Sequence, residues 1–132
     1  MTPETTVFIL TIGLAFTHLL VLAFFQTATY GLGALATARD HLIRPENEGI
    51  FLARARRAND NIRETLPWAL GLLILVQITG NAGAIAATGA WIYLCARVAY
   101  LPLYLFGVPW LRTLAWFVSL AGLGTLVYAV IV

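Results

Sequence analysis

The sequence predicts an all-α fold, an integral membrane four-helix bundle. Only 11% of the 132 residues are charged and 61% are hydrophobic, whereas about a quarter of the residues of an average soluble domain are charged. No charged residue occurs from position 5 to position 38, and apolar runs of about 18 or more residues are typical of transmembrane helices. The length is that of one domain, so we expect residues 1–132 to form a single four-span unit.

Four apolar segments lie at 7–36, 66–80, 84–107 and 111–132. Crossing a bilayer takes about 20 helical residues, so the short second segment is expected to extend upstream into residues 50–65, which have a helical pattern and a partly polar surface. The first segment follows only one charged residue and exceeds the roughly 7–15-residue core of a signal peptide, so we expect it to be retained. Backbone groups in lipid must bond internally and no strand alternation is present, so each segment is interpreted as a helix. In the last one, the small residues Ser119, Gly122 and Gly124 are expected to permit close helix packing.

The distribution of arginine predicts the orientation. All eight cationic residues are arginines; six precede the second span and one begins the fourth, whereas the turn at 79–84 and both chain ends have none. Cytoplasmic connections of membrane proteins are enriched in arginine and lysine. We therefore expect the first and third connections to be cytoplasmic and both termini to lie on the opposite side.

One face of the second helix carries polar side chains. Arg57, Asn61 and Glu64 are spaced i, i+4 and i+7, which places them on one stripe. The third span carries Arg97 well inside its apolar segment. A central arginine costs about 2.5–3.5 kcal/mol on insertion scales, so it is expected to face the bundle interior with a partner, for which Glu64 is the candidate.

Two interpretations of these polar groups remain open at this point. Glu64 and Arg97 would fit a structural ion pair packed among tyrosines. However, the polar groups exceed one pair and lie on two helices at a similar depth. Guanidinium groups, an amide, a carboxylate and phenols together favour a pocket for a small zwitterion with several charges.

The motifs resemble those of a known family. The pattern R-x3-N-x2-E-x2-P, which begins at Arg57 and ends at Pro67, resembles the second-helix signature of the MAPEG superfamily, the membrane-associated proteins in eicosanoid and glutathione metabolism. The run RVAYLPLY, which begins at Arg97, and the later Arg112 resemble the family's second signature. The resemblance covers essentially the whole chain.

The resemblance implies a homotrimer that binds glutathione between neighbouring subunits near the cytoplasmic boundary. The positions that match glutathione-binding residues of the family are Arg39, Arg57, Asn61, Glu64, Arg97, Tyr100 and Tyr104. Among them, Arg39 matches a basic residue that reaches the peptide from the adjacent subunit. Arg112 matches the arginine that is taken to stabilise the thiolate, and Thr113 supplies a hydroxyl where one branch has serine.

The chemistry of glutathione fits these residues. Its two carboxylates and one ammonium call for arginines and one acid, and a nearby cation lowers the pKa of a thiol from about 8.5. We therefore expect a glutathione-dependent transferase or peroxidase whose thiolate attacks a lipophilic electrophile or hydroperoxide supplied by the bilayer. We expect no metal, because His18 has no second ligand at metal spacing, and no nucleic-acid partner, because the net charge is only +2.

Several alternatives and departures accompany this hypothesis. A non-catalytic member that binds and presents lipid is the main alternative, but it would lack much of the arginine set that this chain keeps at Arg57, Arg97 and Arg112. A small multidrug antiporter needs a carboxylate in its first span, where none exists. Asp40 replaces an arginine of some synthases, and Pro102 is expected to kink the third span. The compact loops resemble those of bacterial members, which indicates a bacterial inner membrane.

Overall fold

The computed structural model describes residues 1–36 and 48–132, and within those ranges the chain is helical. The helices are α1 (Pro3–Tyr30), α2 (Leu32–Leu35), α3 (Ile50–Thr79), α4 (Ala84–Leu105) and α5 (Pro109–Ile131). In this part of the chain, four helices are long and apolar enough to cross a membrane: α1, α3, α4 and α5. The predicted all-α architecture with four spans is therefore confirmed, whereas the homotrimer stays a prediction.

Helix boundaries follow local sequence signals. Thr2 caps α1 by accepting a hydrogen bond from the backbone N–H of Thr5, and proline occupies the first turn, where its missing N–H has no helical partner to lose. The first apolar segment was expected to be continuous to residue 36, but α1 ends at Gly31, whose φ of 78° interrupts the helix. At the other end of the bundle, α3 ends at Gly80 in a left-handed conformation, which glycine adopts without steric cost.

The second span is one continuous helix. α3 covers 30 residues and contains both the polar stretch and the apolar segment, as the sequence predicted. Pro67 lies inside it, near the point where its polar part ends. α4 likewise continues through Pro102 to Leu105.

Hydrogen bonds between helix ends establish an up-down-up-down arrangement. At one end, the Gln77 side chain of α3 donates to Thr2 at 2.7 Å, and Asn81 donates to the carbonyl of Val130 at 3.0 Å. At the opposite end, Arg54 of α3 donates to the carbonyl of Leu105 at 2.9 Å. The two chain ends and the α3–α4 turn therefore share one side of the bundle.

α4 and α5 cross at two glycines. A Cβ atom added to Gly122 would lie 2.6 Å from the backbone nitrogen of Tyr93, and one added to Gly89 would lie 2.9 Å from the carbonyl oxygen of Gly122. The backbones therefore approach more closely than any side chain permits. Gly122 confirms the expected close packing of α5, whereas no atom lies within 4 Å of a Cβ built on Gly124.

Two apolar clusters enclose a layer of polar side chains. Towards the terminal end the cluster comprises Val7, Ala69, Leu73, Val76, Ala86, Ala90, Tyr93, Leu94, Leu123, Leu126 and Ala129. Towards the opposite end it comprises Leu22, Leu52 and Ala55. The polar layer between them has one side chain from each of three helices: His18 of α1, Asn61 of α3 and Arg97 of α4. The fold thus places the arginine of the third span at the level of the polar stripe of the second.

Candidate functional site

Arg97 is the buried centre of the polar layer. Its side chain is 1% exposed, and its Nη1 donates a 2.6 Å hydrogen bond to Oδ1 of Asn61 on α3. The expected partner was Glu64, and that prediction is wrong for the single chain. Glu64 is exposed, and no ion pair within 4.0 Å joins it to Arg97 among the residues described. The physical reason is that Glu64 lies on the outward part of the α3 stripe, whereas Asn61 lies at its inner edge.

Aromatic rings of α4 flank the Arg97 guanidinium. Its Cζ lies 5.7 Å from the ring centroid of Tyr93 and 5.4 Å from that of Tyr100, distances at which a cation is attracted to an aromatic face. The Tyr93 hydroxyl is in turn 3.3 Å from that of Thr65. Nε and Nη2 of Arg97 are buried and have no hydrogen-bond partner in the described chain. Glu64 is near enough to interact with this cation electrostatically, but no carboxylate in the described chain forms an ion pair with it within 4.0 Å.

Arg112 extends the site into the first turn of α5. Its Cζ lies 4.6 Å from the ring centroid of Tyr104, and the Tyr104 ring lies 5.4 Å from that of Tyr100 at an interplanar angle of 50°. The aromatic rings therefore connect the half-buried Arg112 with the buried Arg97. Two predicted arginines from separate spans thus belong to one continuous group of side chains.

A cavity of about 200 Å³ opens beside this group. Its lining comprises Asn61, Tyr100, Arg112, Thr113 and Trp116. Four of these five were site candidates in the sequence. Trp116 was not among the candidates, although its position one helical turn after Arg112 places both side chains on the same face of α5.

The geometry distinguishes the roles that cavity residues can take. The Arg97 guanidinium can only donate, so Oδ1 of Asn61 is the acceptor and its Nδ2 amide group remains to donate elsewhere. The Thr113 hydroxyl donates to the carbonyl of Pro109 at 3.0 Å, so its lone pairs are what it offers to the cavity. Arg112 contributes a guanidinium cation to the cavity lining.

Other predicted site residues lie outside the cavity lining. Arg57 and Glu64 are exposed on the outer face of α3, one turn before and one turn after Asn61. Tyr104 is half-buried beneath Arg112. Arg39, and Asp40 beside it, lie outside the described residues. The cavity is also smaller than the roughly 300–1,000 Å³ of common small-molecule sites.

His18 is a buried residue of α1 and does not line the cavity. It is 1% exposed, and its Nδ1 lies 2.9 Å from the carbonyl oxygen of Leu14 one turn earlier. A carbonyl accepts only, so this nitrogen carries the proton. Within residues 1–36 and 48–132, no group of three histidine, cysteine, aspartate or glutamate side chains is placed to hold a metal ion.

The family comparison accounts for this combination of motifs. The model of the MAPEG family matches residues 6–132, nearly the whole chain. The chain belongs to the MAPEG family. No curated protein and no solved structure matches it. Together with the four spans, membership identifies a multi-pass integral membrane protein and fits a role in glutathione-related transfer or lipid metabolism.

In this MAPEG chain the two sequence signatures meet in space. The motif of the second span, α3, contributes Asn61, and the motif of the third span, α4, contributes Arg97. The 2.6 Å hydrogen bond joins the two side chains directly. Arg112, which follows the third-helix motif in sequence, reaches the same group through Tyr104. The two motifs therefore contribute side chains to one connected group.

Proposed function

We propose that this MAPEG protein is a glutathione-dependent membrane transferase or peroxidase that activates the glutathione thiolate for attack on a lipophilic electrophile or hydroperoxide. The observation that carries the proposal is the cavity in which Asn61, Arg112 and Thr113 meet, with the buried cation Arg97 directly behind Asn61. The hydrogen-bond partner of Arg97 is a neutral amide, and Arg97 forms no ion pair within 4.0 Å in the described chain, which supports an anionic ligand at this place.

The binding groups match the charges of the tripeptide. The Nδ2 amide group of Asn61 donates to one glutathione carboxylate, in the positive potential of Arg97. Arg57 holds the second carboxylate and Glu64 holds the ammonium, both from the exposed face of α3. Tyr100 lines the cavity and supplies a phenol for the peptide backbone.

A homotrimer completes the site in this proposal. The exposed charges Arg57 and Glu64 lie on a helix that continues into lipid, and charged side chains in a membrane protein face the bundle interior or a polar cavity. A neighbouring copy of the chain would cover this face and close the small cavity. Arg39 is proposed to reach the peptide from that neighbour.

The chemistry is thiolate attack. Arg112 lowers the pKa of the bound thiol below its usual value of about 8.5, and the thiol proton passes to water. With an aryl halide, the sulfur–carbon bond forms and the carbon–halide bond breaks, releasing halide. With a lipid hydroperoxide, two thiols reduce one peroxide to an alcohol and water, and the glutathione is oxidised to its disulfide. The protein also accelerates the reaction by holding the thiolate next to the substrate that is dissolved in the bilayer.

The orientation is part of the proposal. The cavity lies at the end of the bundle that holds the start of α3 and the α4–α5 turn, which are the arginine-rich segments. We place this end at the cytoplasmic face of a bacterial inner membrane and both termini on the opposite side. Glutathione then enters from the cytoplasm, and the electrophile enters from the lipid.

Conjugation of glutathione to an aryl halide by the detergent-purified protein tests this function. We expect turnover with glutathione, and binding without turnover for S-methylglutathione, which has the same charges and no thiol. A lipid-presenting protein of the same fold would bind lipid yet show neither glutathione binding nor conjugation. That result would replace the enzyme with the alternative function.

A further inference from the structure

We infer that Arg54 is a positioning residue that fixes the α4–α5 turn and thereby sets the location of Arg112. This inference rests on the proposed function, because it assigns to Arg54 a contribution to thiolate activation. Arg54 precedes Arg57 by three residues on α3, a spacing that places both on one stripe of the helix. In the structure it is half-buried and directed at the turn between the last two spans.

The first observation is a hydrogen bond across helices. Nη1 of Arg54 donates to the carbonyl oxygen of Leu105, the last residue of α4, at 2.9 Å. The last four carbonyls of a helix have no partner inside the helix, and a cation at this end also interacts favourably with the helix dipole. Arg54 of α3 thus donates a hydrogen bond to a carbonyl at the end of α4 that has no partner within its own helix.

The second observation is the contact with Gly107. This residue has a φ of +73°, and a Cβ atom built on it would lie 2.5 Å from Nη2 of Arg54. The guanidinium therefore lies directly against the turn backbone. The left-handed conformation favours glycine, and a side chain at this position would displace the Arg54 guanidinium.

The turn connects Arg54 to the catalytic arginine. The backbone N–H of Gly107 donates to the carbonyl of Tyr104 at 3.2 Å, and that of Arg112 donates to the carbonyl of Val108 at 3.2 Å. Arg112 also lies over the Tyr104 ring. Both partners of this cation–π contact are therefore attached to the segment that Arg54 holds, and a shift of the turn would move Arg112 relative to the thiol.

The matched variants are Arg54→Met, Arg54→Lys and Arg56→Met. Methionine keeps an unbranched side chain without charge or donors, and lysine keeps the charge and three N–H donors on one nitrogen but not the planar fork. Arg56 is two residues away on α3 and forms an ion pair with Glu48, so it controls for loss of an arginine. Gly107→Ala disturbs the same contact from the turn side.

Three readouts distinguish positioning from binding: hydrogen exchange of the backbone amides 106–108, ultraviolet absorption of the bound thiolate, and the separate changes in kcat and glutathione KM. In Arg54→Met we expect faster hydrogen exchange of the backbone amides 106–108 and a weaker absorption of the bound thiolate. We also expect kcat to fall by about tenfold to a hundredfold, since a misplacement of a catalytic group by about 1 Å can have that effect. Its KM should change by less than about threefold, because Arg112 and not Arg54 lines the cavity. Lysine should restore part of kcat, and Gly107→Ala should resemble Arg54→Met.

The inference is overturned if Arg54→Met keeps wild-type exchange, thiolate signal and kcat, or if Arg56→Met loses as much. It is also overturned if Arg54→Met raises KM in proportion to the loss of kcat, since Arg54 would then bind glutathione. Failure of the proposed function would give a different result: the wild-type protein itself would show no absorption of a bound thiolate and no conjugation.

Discussion

Arg97 on α4 donates a 2.6 Å hydrogen bond to the amide oxygen of Asn61 on α3, and this contact joins the two MAPEG signatures. Its consequence is electrostatic. A carboxylate in the place of Asn61 would neutralise the buried guanidinium, whereas an amide satisfies one of its N–H groups and leaves the positive charge. Asn61 also lines the cavity, so the charge lies immediately behind the surface on which an anionic ligand would rest.

Removing the Asn61 amide should destabilise the fold. In Asn61→Leu the Arg97 guanidinium would be buried with no hydrogen-bond partner that the described chain provides, and losing a hydrogen bond to a charged group costs about 1.5–3 kcal/mol. Thermal unfolding in detergent should show a lowered midpoint. The double variant Asn61→Leu/Arg97→Met should lose less than the sum of the single variants, because replacing both partners removes the buried unpaired charge. Additive losses would show that the two side chains do not interact.

Arg112→Met should reduce thiolate formation. The proposed cation lowers the thiol pKa, so the thiolate, and with it the rate, should rise with pH through a midpoint below about 8.5 in the wild-type protein. In the variant this midpoint should move up towards about 8.5, and the rate at pH 7 should fall about tenfold or more. The measurement is a pH–rate profile of aryl-halide conjugation, with Arg63→Met, exposed on α3, as the control. An unchanged midpoint in Arg112→Met would show that Arg112 does not lower the pKa of the thiol.

The crossing of α4 and α5 should tolerate no side chain at Gly122. A Cβ atom there would lie 2.6 Å from the backbone of Tyr93, and overpacking of this kind costs about 1–3 kcal/mol. Gly122→Ala should therefore unfold at a lower temperature. Gly124→Ala, two residues along the same helix with no atom within 4 Å of the added methyl, is the matched control and should be as stable as the wild-type protein. Equal stability of both variants would contradict the close crossing.

The sequence was sufficient for the helices because their cause is local. The uncharged stretch from 5 to 38 and the three later apolar segments each demand a membrane helix, and the structure has four of them in the described ranges. The break at Gly31 was not foreseen, since a glycine within an apolar segment is compatible with either a helix or its end. Its φ of 78° is a property of the folded chain.

The sequence predicted which face of α3 carries the polar side chains, but not which of them contacts a neighbouring helix. Helical spacing put Asn61 and Glu64 on one stripe, yet it does not say which of them reaches a side chain on a neighbouring helix. The answer depends on the rotation of α3 against α4, which brings Asn61 to Arg97 and leaves Glu64 outside. The contacts of Arg54 were not predictable for the same reason, because they are with the end of α4 and with the turn that follows it.

Native mass spectrometry should detect a complex of three chains. The exposed Arg57 and Glu64 on a helix that enters lipid and the small size of the cavity both require cover from another copy in our proposal. The measurement is made in a mild detergent at several protein concentrations. A monomer at every concentration would mean that the site is not shared between subunits.

Calorimetric titration of the detergent-purified protein with glutathione measures the proposed binding itself. We propose that Arg97, Asn61 and Arg112 together provide a cationic site for this tripeptide, so we expect saturable heat that Arg112→Met weakens and that Arg63→Met leaves unchanged. Absence of saturable heat from the wild-type protein, while its oligomer and thermal unfolding are intact, would show that these residues do not form a glutathione site.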